Sequence, residues 1–153
     1  MNHKFLRITL ILLALIPNKV TFAKDIVKTQ NSTNFKRVKN CPFCEILNEN
    51  DPNKIIDQDE YVAAIKKNRP STKEHPVDFL IIPKKHIENI KALNENDDYD
   101  SNLGSRIWLM AKKLSKKLSG SQDFKLINNN GAEADQTIFH LHTHFISRNN
   151  WSK

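Results

Sequence analysis

The sequence lacks four features that would each assign it to a broad class of protein. It has no long apolar run, no dense basic run, no internal repeat, and only two cysteines. The longest aliphatic stretch, residues 8–16, is too short to cross a bilayer core, which needs about 20 residues. Lysines spread along the chain give little support for nucleic-acid binding. Helical and strand patterns do not alternate strictly, which argues against a thioredoxin-like fold.

The remaining composition is that of a soluble globular protein. The chain has 153 residues, of which 39% are hydrophobic and 27% are charged. This length suffices for one domain with a real core, and not for two of ordinary size. Order is expected to begin near Cys41, and we predict a single domain over residues 40–153.

The N-terminal segment has the layout of a secretory signal peptide. Basic residues come first, the apolar run 8–16 follows, and small residues lie at both ends of 21–23. We predict cleavage after Ala23, a flexible linker over 24–39, an exported protein, and no stable membrane association after cleavage. Losing Lys4, Arg7 and Lys19 would reduce the net charge from +7 to +4. A modest positive excess suits a small anionic substrate.

Hydrophobic periodicity predicts the secondary structure of the domain. Apolar residues recur at spacings of three and four over 99–118, which predicts the main helix. Its first turn is acidic and its last turn basic, as the helix dipole prefers. The other predicted elements are a helical turn at 45–47 and strands at 55–56, 61–65, 79–82, 124–128 and 137–147. The pattern favours an α+β fold with a mainly antiparallel sheet.

Three histidines alternate along the last predicted strand. Side chains two residues apart point to one face of a strand, so His140, His142 and His144 share a face. Phe139, Leu141, Thr143 and Phe145 are expected on the other face, in the core. Three imidazoles in register indicate a functional site, either catalytic or metal-binding. Three nitrogens in a row on a flat strand converge on one ion less readily than ligands from separate elements.

Residues 136–145, Gln-Thr-Ile-Phe-His-Leu-His-Thr-His-Phe, resemble the signature of the histidine triad nucleotide-binding family. Upstream segments match in the same order: a Cys-x-x-Cys at 41–44, the strand with a trailing Pro-Lys-x-His at 79–87, and the turn 129–134. The resemblance covers roughly residues 41–148. It implies a five-stranded sheet with one long and one short helix, which pairs as a homodimer.

The resemblance also implies a mechanism and a set of site residues. His142 would attack the α-phosphorus of a nucleoside phosphoramidate or dinucleoside polyphosphate, giving a nucleotidyl-histidine that water resolves. The backbone carbonyl of His140 would fix the tautomer of His142. The family's phosphate-contacting positions correspond to His144, Asn129, Gln136 and Thr137, and Asn68 is the candidate for the ribose hydroxyls.

Two residues depart from the family pattern. Asp135 stands where members usually carry glycine, and a carboxylate there would repel a phosphate and narrow the approach to the backbone. Asp78 stands where members usually carry a histidine before the central strand. His75 lies three residues earlier, in a longer loop, and is the other candidate for that role.

The two cysteines have two competing interpretations. By the family resemblance, Cys41, Cys44, His140 and either Asp78 or His75 would hold a structural Zn²⁺, which accepts such a set of donors. Alternatively, a signal peptide implies an oxidising compartment, where a Cys-x-x-Cys can form a disulfide.

Two hypotheses about function follow. The first is a homodimeric histidine triad hydrolase or nucleotidyl transferase that acts on a small nucleotide and not on nucleic acid. The second is an exported nucleotide- or zinc-binding protein with little catalytic activity, which Asp135 and the altered upstream histidine suggest. Neither the natural nucleotide nor the leaving group can be read from the residues.

Overall fold

A computed structural model describes residues 35–68, 72–73, 75, 77–118 and 122–147. The predicted signal peptide and all of the predicted linker before residue 35 lie outside these ranges, as does the C-terminal segment from residue 148. Within the ranges, no helix combines the length and the apolar character that crossing a bilayer requires.

The described residues form two α-helices and five strands. In chain order these are α1 (Pro42–Glu49), β1 (Ile55–Gln58), β2 (Val62–Lys66), β3 (Val77–Pro83), α2 (Asp98–Leu118), β4 (Lys125–Ile127) and β5 (Thr143–Ser147). The predicted α+β class is confirmed, with one long helix and one short helix.

All five strands belong to one antiparallel sheet in the order β1-β2-β3-β5-β4. The central strand β3 is buried along almost its whole length. This is why its sequence is a continuous apolar run and not an alternating one. Because β5 lies between β3 and β4, the three histidines, of which His140 and His142 precede β5 and His144 lies in it, come close to the end of the central strand.

The two helices begin and end where local chemistry favours it. Pro42 occupies the first turn of α1, where its missing N–H costs nothing, and Asn50 ends the helix in the left-handed conformation at φ 48°. In α2, the Asp97 carboxylate accepts a hydrogen bond from the backbone N–H of Asp100. The helix α1 is longer than the predicted turn, because its apolar residues cover one face of the sheet.

Each face of the sheet carries its own apolar cluster. The α2 side includes Phe79, Ile81, Leu103, Leu114, Leu141 and Phe145, with the rings of Phe79 and Phe145 stacked at 4.5 Å. The α1 side includes Phe43, Cys44, Ile65, Leu80 and Ile82. The alternation of side chains along β2 and β3 separates the two clusters.

The triad segment differs from the prediction in two respects. Strand β5 begins at Thr143 and not at 137, and Phe139 is 48% exposed, not in the core. The pairing with β3 stops at Ile81, opposite Thr143. Before that point, the backbone N–H of Leu141 donates to the carbonyl of Ile87 outside the sheet. The preceding residues are therefore held by loop contacts, and the alternation holds only from Leu141 onward.

Candidate active site and thiol–imidazole cluster

The imidazole of His142 is held in one tautomer. Its Nδ1 lies 2.8 Å from the backbone carbonyl oxygen of His140, which can only accept a hydrogen bond. Nδ1 must therefore carry a proton, so in the neutral ring Nε2 is the nitrogen that has the lone pair. A neutral imidazole with a free Nε2 lone pair is a nucleophile that needs no additional base.

Two further contacts restrain His142. The side-chain amide of Asn128 donates to the backbone carbonyl of His142 at 2.7 Å. The ring of Phe43 packs edge-on against the imidazole, with the ring centres 5.4 Å apart. Since His142 is only 6% exposed, its orientation is set by the protein and not by solvent.

His142 lies in the wall of an open cleft with a volume of about 420 Å³. The cleft is lined on one side by apolar residues of α1, β3 and the triad loop, and elsewhere by polar and charged residues. The apolar residues are Pro42, Phe43, Ile46, Leu80 and Ile138, and the others are Lys66, Lys67, Asn68, Asn129, Asp135, Thr137, His142 and His144. A cleft with one apolar and one polar wall suits a ligand that has both characters.

The structure brings most of the predicted substrate-contacting residues into this cleft. His144, Asn129, Thr137 and Asn68 all line it. The imidazole of His144 lies 5.4 Å from that of His142, between ring centres. Burial lowers the pKa of His144, and the neighbouring His142 lowers it further. His144 is therefore neutral at pH 7.

Gln136 does not line the cleft, contrary to its predicted role as a phosphate contact. It is 3% exposed, and its amide is fully used inside the loop. Its Oε1 accepts from the N–H of Gly131, and its Nε2 donates to the carbonyls of Glu88 and Ile138. Gln136 thus holds the loop that precedes the triad, and it acts on the cleft only through that loop.

Asp135 lines the cleft, is exposed, and adopts a left-handed backbone conformation at φ 59°. Glycine adopts this conformation without strain, whereas most other residues do not. Aspartate is among the residues that tolerate it best. The left-handed backbone at position 135 therefore explains why the family resemblance led us to expect glycine there. It also explains why aspartate can replace it.

Four potential metal ligands cluster beside the cleft. The Sγ atoms of Cys41 and Cys44 and the ring nitrogens of His86 and His140 all lie within 4.8 Å of one another. Sulfur to Nδ1 distances are 3.4 Å for Cys41–His140, 3.4 Å for Cys44–His86 and 3.7 Å for Cys44–His140. Ligands at tetrahedral zinc are separated by about 3.3–3.8 Å, given the usual bond lengths. The donor set and its spacing therefore fit zinc.

His140 is prepared for the role of a ligand. Its Nε2 lies 3.0 Å from the carbonyl oxygen of Pro83, so Nε2 is the protonated nitrogen and Nδ1 faces both sulfur atoms. Burial lowers its pKa to about 4, so the ring is neutral at pH 7. A histidine ligand whose other nitrogen donates to a carbonyl is usual at zinc sites.

The prediction that Asp78 or His75 is the fourth zinc ligand is wrong. Asp78 lies outside the cluster, because its carboxylate binds the ammonium of Lys67 at 2.5 Å. His75 is also outside it. His86 takes the place in the cluster, because the chain turns after Pro83 and brings it back beside α1. Cys41 and Cys44 are free thiols, and burial raises the pKa of Cys44.

Two residues of the site were missed from the sequence. His86 was noticed only as the last residue of a Pro-Lys-x-His pattern, and that spacing after a buried strand was the available signal. Asn128 is only the last residue of the predicted strand 124–128. Asn128 immediately follows β4, and β4 neighbours β5 in the sheet. The closeness of Asn128 to His142 is therefore evident only once the strand order is known.

The HIT domain model matches residues 48–151 of the chain. An uncharacterized HIT-like protein of Synechocystis is 35% identical over 104 residues, which is 68% of this chain and 86% of that relative. A solved HIT family hydrolase from Clostridium thermocellum is 37% identical, with a TM-score of 0.60, over 72% of this chain and 91% of that one.

A structure of a zinc-bound histidine triad family protein from Mycobacterium smegmatis is also similar. It has 25% identity and a TM-score of 0.55, and the match covers 74% of this chain and 78% of that one. The zinc in its description belongs to that protein. For this chain, the fit to a metal is argued from the positions of its own two thiols and two imidazoles.

Proposed function

The chain belongs to the HIT domain family, and from this premise we propose that it is a nucleotide hydrolase or nucleotidyl transferase whose nucleophile is His142. One observation carries the proposal. The nucleophile candidate lies in the wall of a cleft, with Nδ1 bound to the carbonyl of His140, which leaves Nε2 as the lone-pair nitrogen of the neutral ring.

The reaction begins with attack of His142 Nε2 on the α-phosphorus. A P–N bond forms, the bond from phosphorus to the leaving group breaks, and the leaving group departs with its electron pair. Water then attacks the nucleotidyl-histidine, so a P–O bond forms and the P–N bond breaks. The amide of Asn129 and the hydroxyl of Thr137 are among the cleft donors available to the phosphate oxygens. Positioning and charge stabilisation are what phosphoryl transfer mainly needs.

The apolar wall of the cleft supports a nucleoside as the remainder of the substrate. Phe43, Ile46 and Leu80 offer a surface on which a base can pack, while Asn68 offers an amide to ribose hydroxyls. Aromatic and aliphatic side chains bind bases of different identity with similar strength, because every base has a π-face. The base specificity is therefore left open by the proposal.

The thiol–imidazole cluster fits a structural Zn²⁺ held by Cys41, Cys44, His86 and His140. A closed set of four protein ligands leaves no open position, so the metal would supply rigidity and not catalysis. It would connect α1 to the segment that carries the nucleophile.

A substrate panel tests the proposed function. We expect the purified protein to release AMP or GMP from adenosine and guanosine 5′-phosphoramidates or from dinucleoside polyphosphates, measured by chromatography of the products. Tight binding of AMP with no turnover of any substrate would instead favour the alternative, an exported binding protein. Turnover of none of them and binding of no nucleotide would contradict both.

We also propose that the protein is a homodimer formed through α2 and β4. The strand β4 is an edge of the sheet, and its Ile127 is 43% exposed. On α2, Trp108 and Leu109 are 61% and 56% exposed, and the ring of Trp108 lies 6.4 Å from that of Phe124, just before β4. Exposed apolar side chains on and near an unpaired sheet edge favour association through that edge. A second copy of the chain would cover both the edge and the helix.

Light scattering coupled to size exclusion should give twice the mass of the mature chain. The substitution Trp108→Glu should give a monomer, because it places a charge in the centre of the apolar surface. Lys116→Glu changes the charge at an exposed position of the same helix and should leave the dimer intact. A wild-type protein that elutes as a monomer at micromolar concentration would contradict the proposal.

A further inference from the structure

Lys67 and Asp78 form an ion pair across two neighbouring strands. The register of β2 and β3 pairs Lys66 with Phe79, so its continuation places Lys67 directly opposite Asp78. The ammonium of Lys67 lies 2.5 Å from Oδ2 of Asp78. Residues in such cross-strand positions are close enough for their side chains to hold each other in place.

Among the lysine pairs of the described residues, this pair and that of Lys85 with Asp100 are the most buried. The side chain of Lys67 is 25% exposed and that of Asp78 is 15% exposed, whereas Lys54 and Glu49 are 48% and 54% exposed. Exposed ion pairs contribute little to stability, and half-buried ones also cost desolvation. A contribution to stability alone therefore gives no strong reason for a cation at this place.

The position of the pair beside the cleft gives a better reason for a lysine at this place. Lys67 lines the same cleft as His142 and His144, whereas Asp78 does not. The carboxylate thus lies behind the ammonium, and its Oδ1 is buried without a hydrogen-bond partner among the described residues. Both charges act on His144: Lys67 lowers its pKa, and Asp78 raises it. The pair is therefore within electrostatic reach of the predicted phosphate contact.

We propose that Lys67 binds an anionic oxygen of the substrate's phosphate group, and that Asp78 is the positioning residue that holds the Lys67 ammonium at the cleft wall. The inference rests on the proposed function and adds a phosphate-binding cation to it. Lysine is a common ligand of phosphate, but its long side chain is flexible. A carboxylate behind the ammonium limits that freedom, so less entropy is lost when the phosphate binds.

The proposal makes Asp78 favour the binding of an anion, although Asp78 is itself an anion. Replacing Asp78 with asparagine removes a negative charge near the cleft, so simple charge balance predicts tighter binding of a phosphate. Loss of the positioning contact predicts weaker binding. The two interpretations therefore predict opposite changes in phosphate affinity for Asp78→Asn.

Isothermal titration of AMP and of adenosine into the full chain tests the proposal. We expect Lys67→Met to raise the dissociation constant for AMP roughly 10- to 100-fold, the range for a lost hydrogen bond between charged groups. Asp78→Asn should raise it several-fold, and Lys67→Arg should retain most of the affinity. Adenosine, which lacks the phosphate, should bind all variants alike. Lys54→Met, which removes a paired lysine outside the cleft, is the matched control and should match the wild type.

Three results would overturn the proposal. They are tighter AMP binding by Asp78→Asn, an equal loss of AMP and adenosine affinity in Lys67→Met, and a wild-type protein that does not bind AMP. The titration tests this inference separately from the proposed function. Lys67-dependent AMP binding without turnover would leave this inference standing and contradict the hydrolase, whereas turnover with Lys67-independent binding would do the reverse. If Lys67→Met fails to fold, the AMP affinities of Asp78→Asn and Lys67→Arg still decide between weaker binding, which the proposal predicts, and tighter binding, which charge balance predicts.

Discussion

Replacing His142 with alanine should reduce nucleotide turnover on the order of 10⁴-fold or more, to the limit of detection. In the proposed mechanism the imidazole supplies the nitrogen of the P–N bond, and no other described residue offers a nucleophile held in the required tautomer at that position in the cleft. The substitution should not unfold the protein, because the packing of the core depends on Phe79, Leu114 and Phe145. Steady-state kinetics on the best substrate of the panel would measure the effect.

A covalent intermediate should accompany turnover in the wild type. Rapid quenching in alkali, which preserves phosphoramidate bonds, followed by mass spectrometry should detect one nucleotidyl group per chain, and none in His142→Ala. The matched control is His75→Ala, which removes an imidazole outside the cleft and should leave turnover unchanged. Full activity in His142→Ala would eliminate the mechanism, whatever the control shows.

Replacing Cys44 with serine should remove the bound metal and lower the melting temperature by roughly 10–20 °C. A metal present at a thousand times its dissociation constant stabilises the fold by about 4 kcal/mol. In a domain of this size, which lies between the small and the large domains surveyed, each kcal/mol corresponds to roughly 3–5 °C. Elemental analysis should find one zinc per wild-type chain and little in the variant, and calorimetry would measure the melting temperature.

The controls separate zinc from a disulfide. A chelator should lower the melting temperature of the wild type towards that of Cys44→Ser and should leave the variant unaffected. Thiol titration after denaturation should find both cysteines of the wild type reduced. Two oxidised cysteines, or a melting temperature that the chelator does not change, would contradict the zinc site. At a temperature where Cys44→Ser remains folded, turnover should stay within a few-fold of the wild type, since the metal takes no part in the chemistry.

Local patterns in the sequence were enough to predict the helix α2 and the strand β3, and they single out His142 as the candidate nucleophile. The period of Leu103, Met110, Leu114 and Leu118 defines the buried face of a helix wherever that helix packs. In the same way, the apolar run before Pro83 predicts a buried strand independently of its neighbours. His142 was identified because the triad signature is a short, contiguous pattern.

Features that depend on how distant segments meet were not predicted correctly. The place of His86 in the cluster depends on the direction of the chain after Pro83, which no local pattern specifies. Gln136 matched a motif position, yet its amide turns into the loop, where the N–H of Gly131 and the carbonyls of Glu88 and Ile138 are its hydrogen-bond partners. The pair of Lys67 and Asp78 depends on the register of a hairpin whose loop has an unusual length. A family position therefore specifies a residue's place in the fold more reliably than its contacts.

His140 serves the two sites with different parts of one residue. Its ring faces the thiols, whereas the group that orients His142 is a backbone carbonyl, which every amino acid possesses. Mutation could therefore remove the proposed metal ligands one by one without removing the acceptor that sets the tautomer of the proposed nucleophile. A lineage could lose its dependence on zinc, given compensating stability elsewhere, and still keep the same chemistry. Selection on the reaction itself would then fall on position 142, while position 140 would be free to vary with the supply of metal.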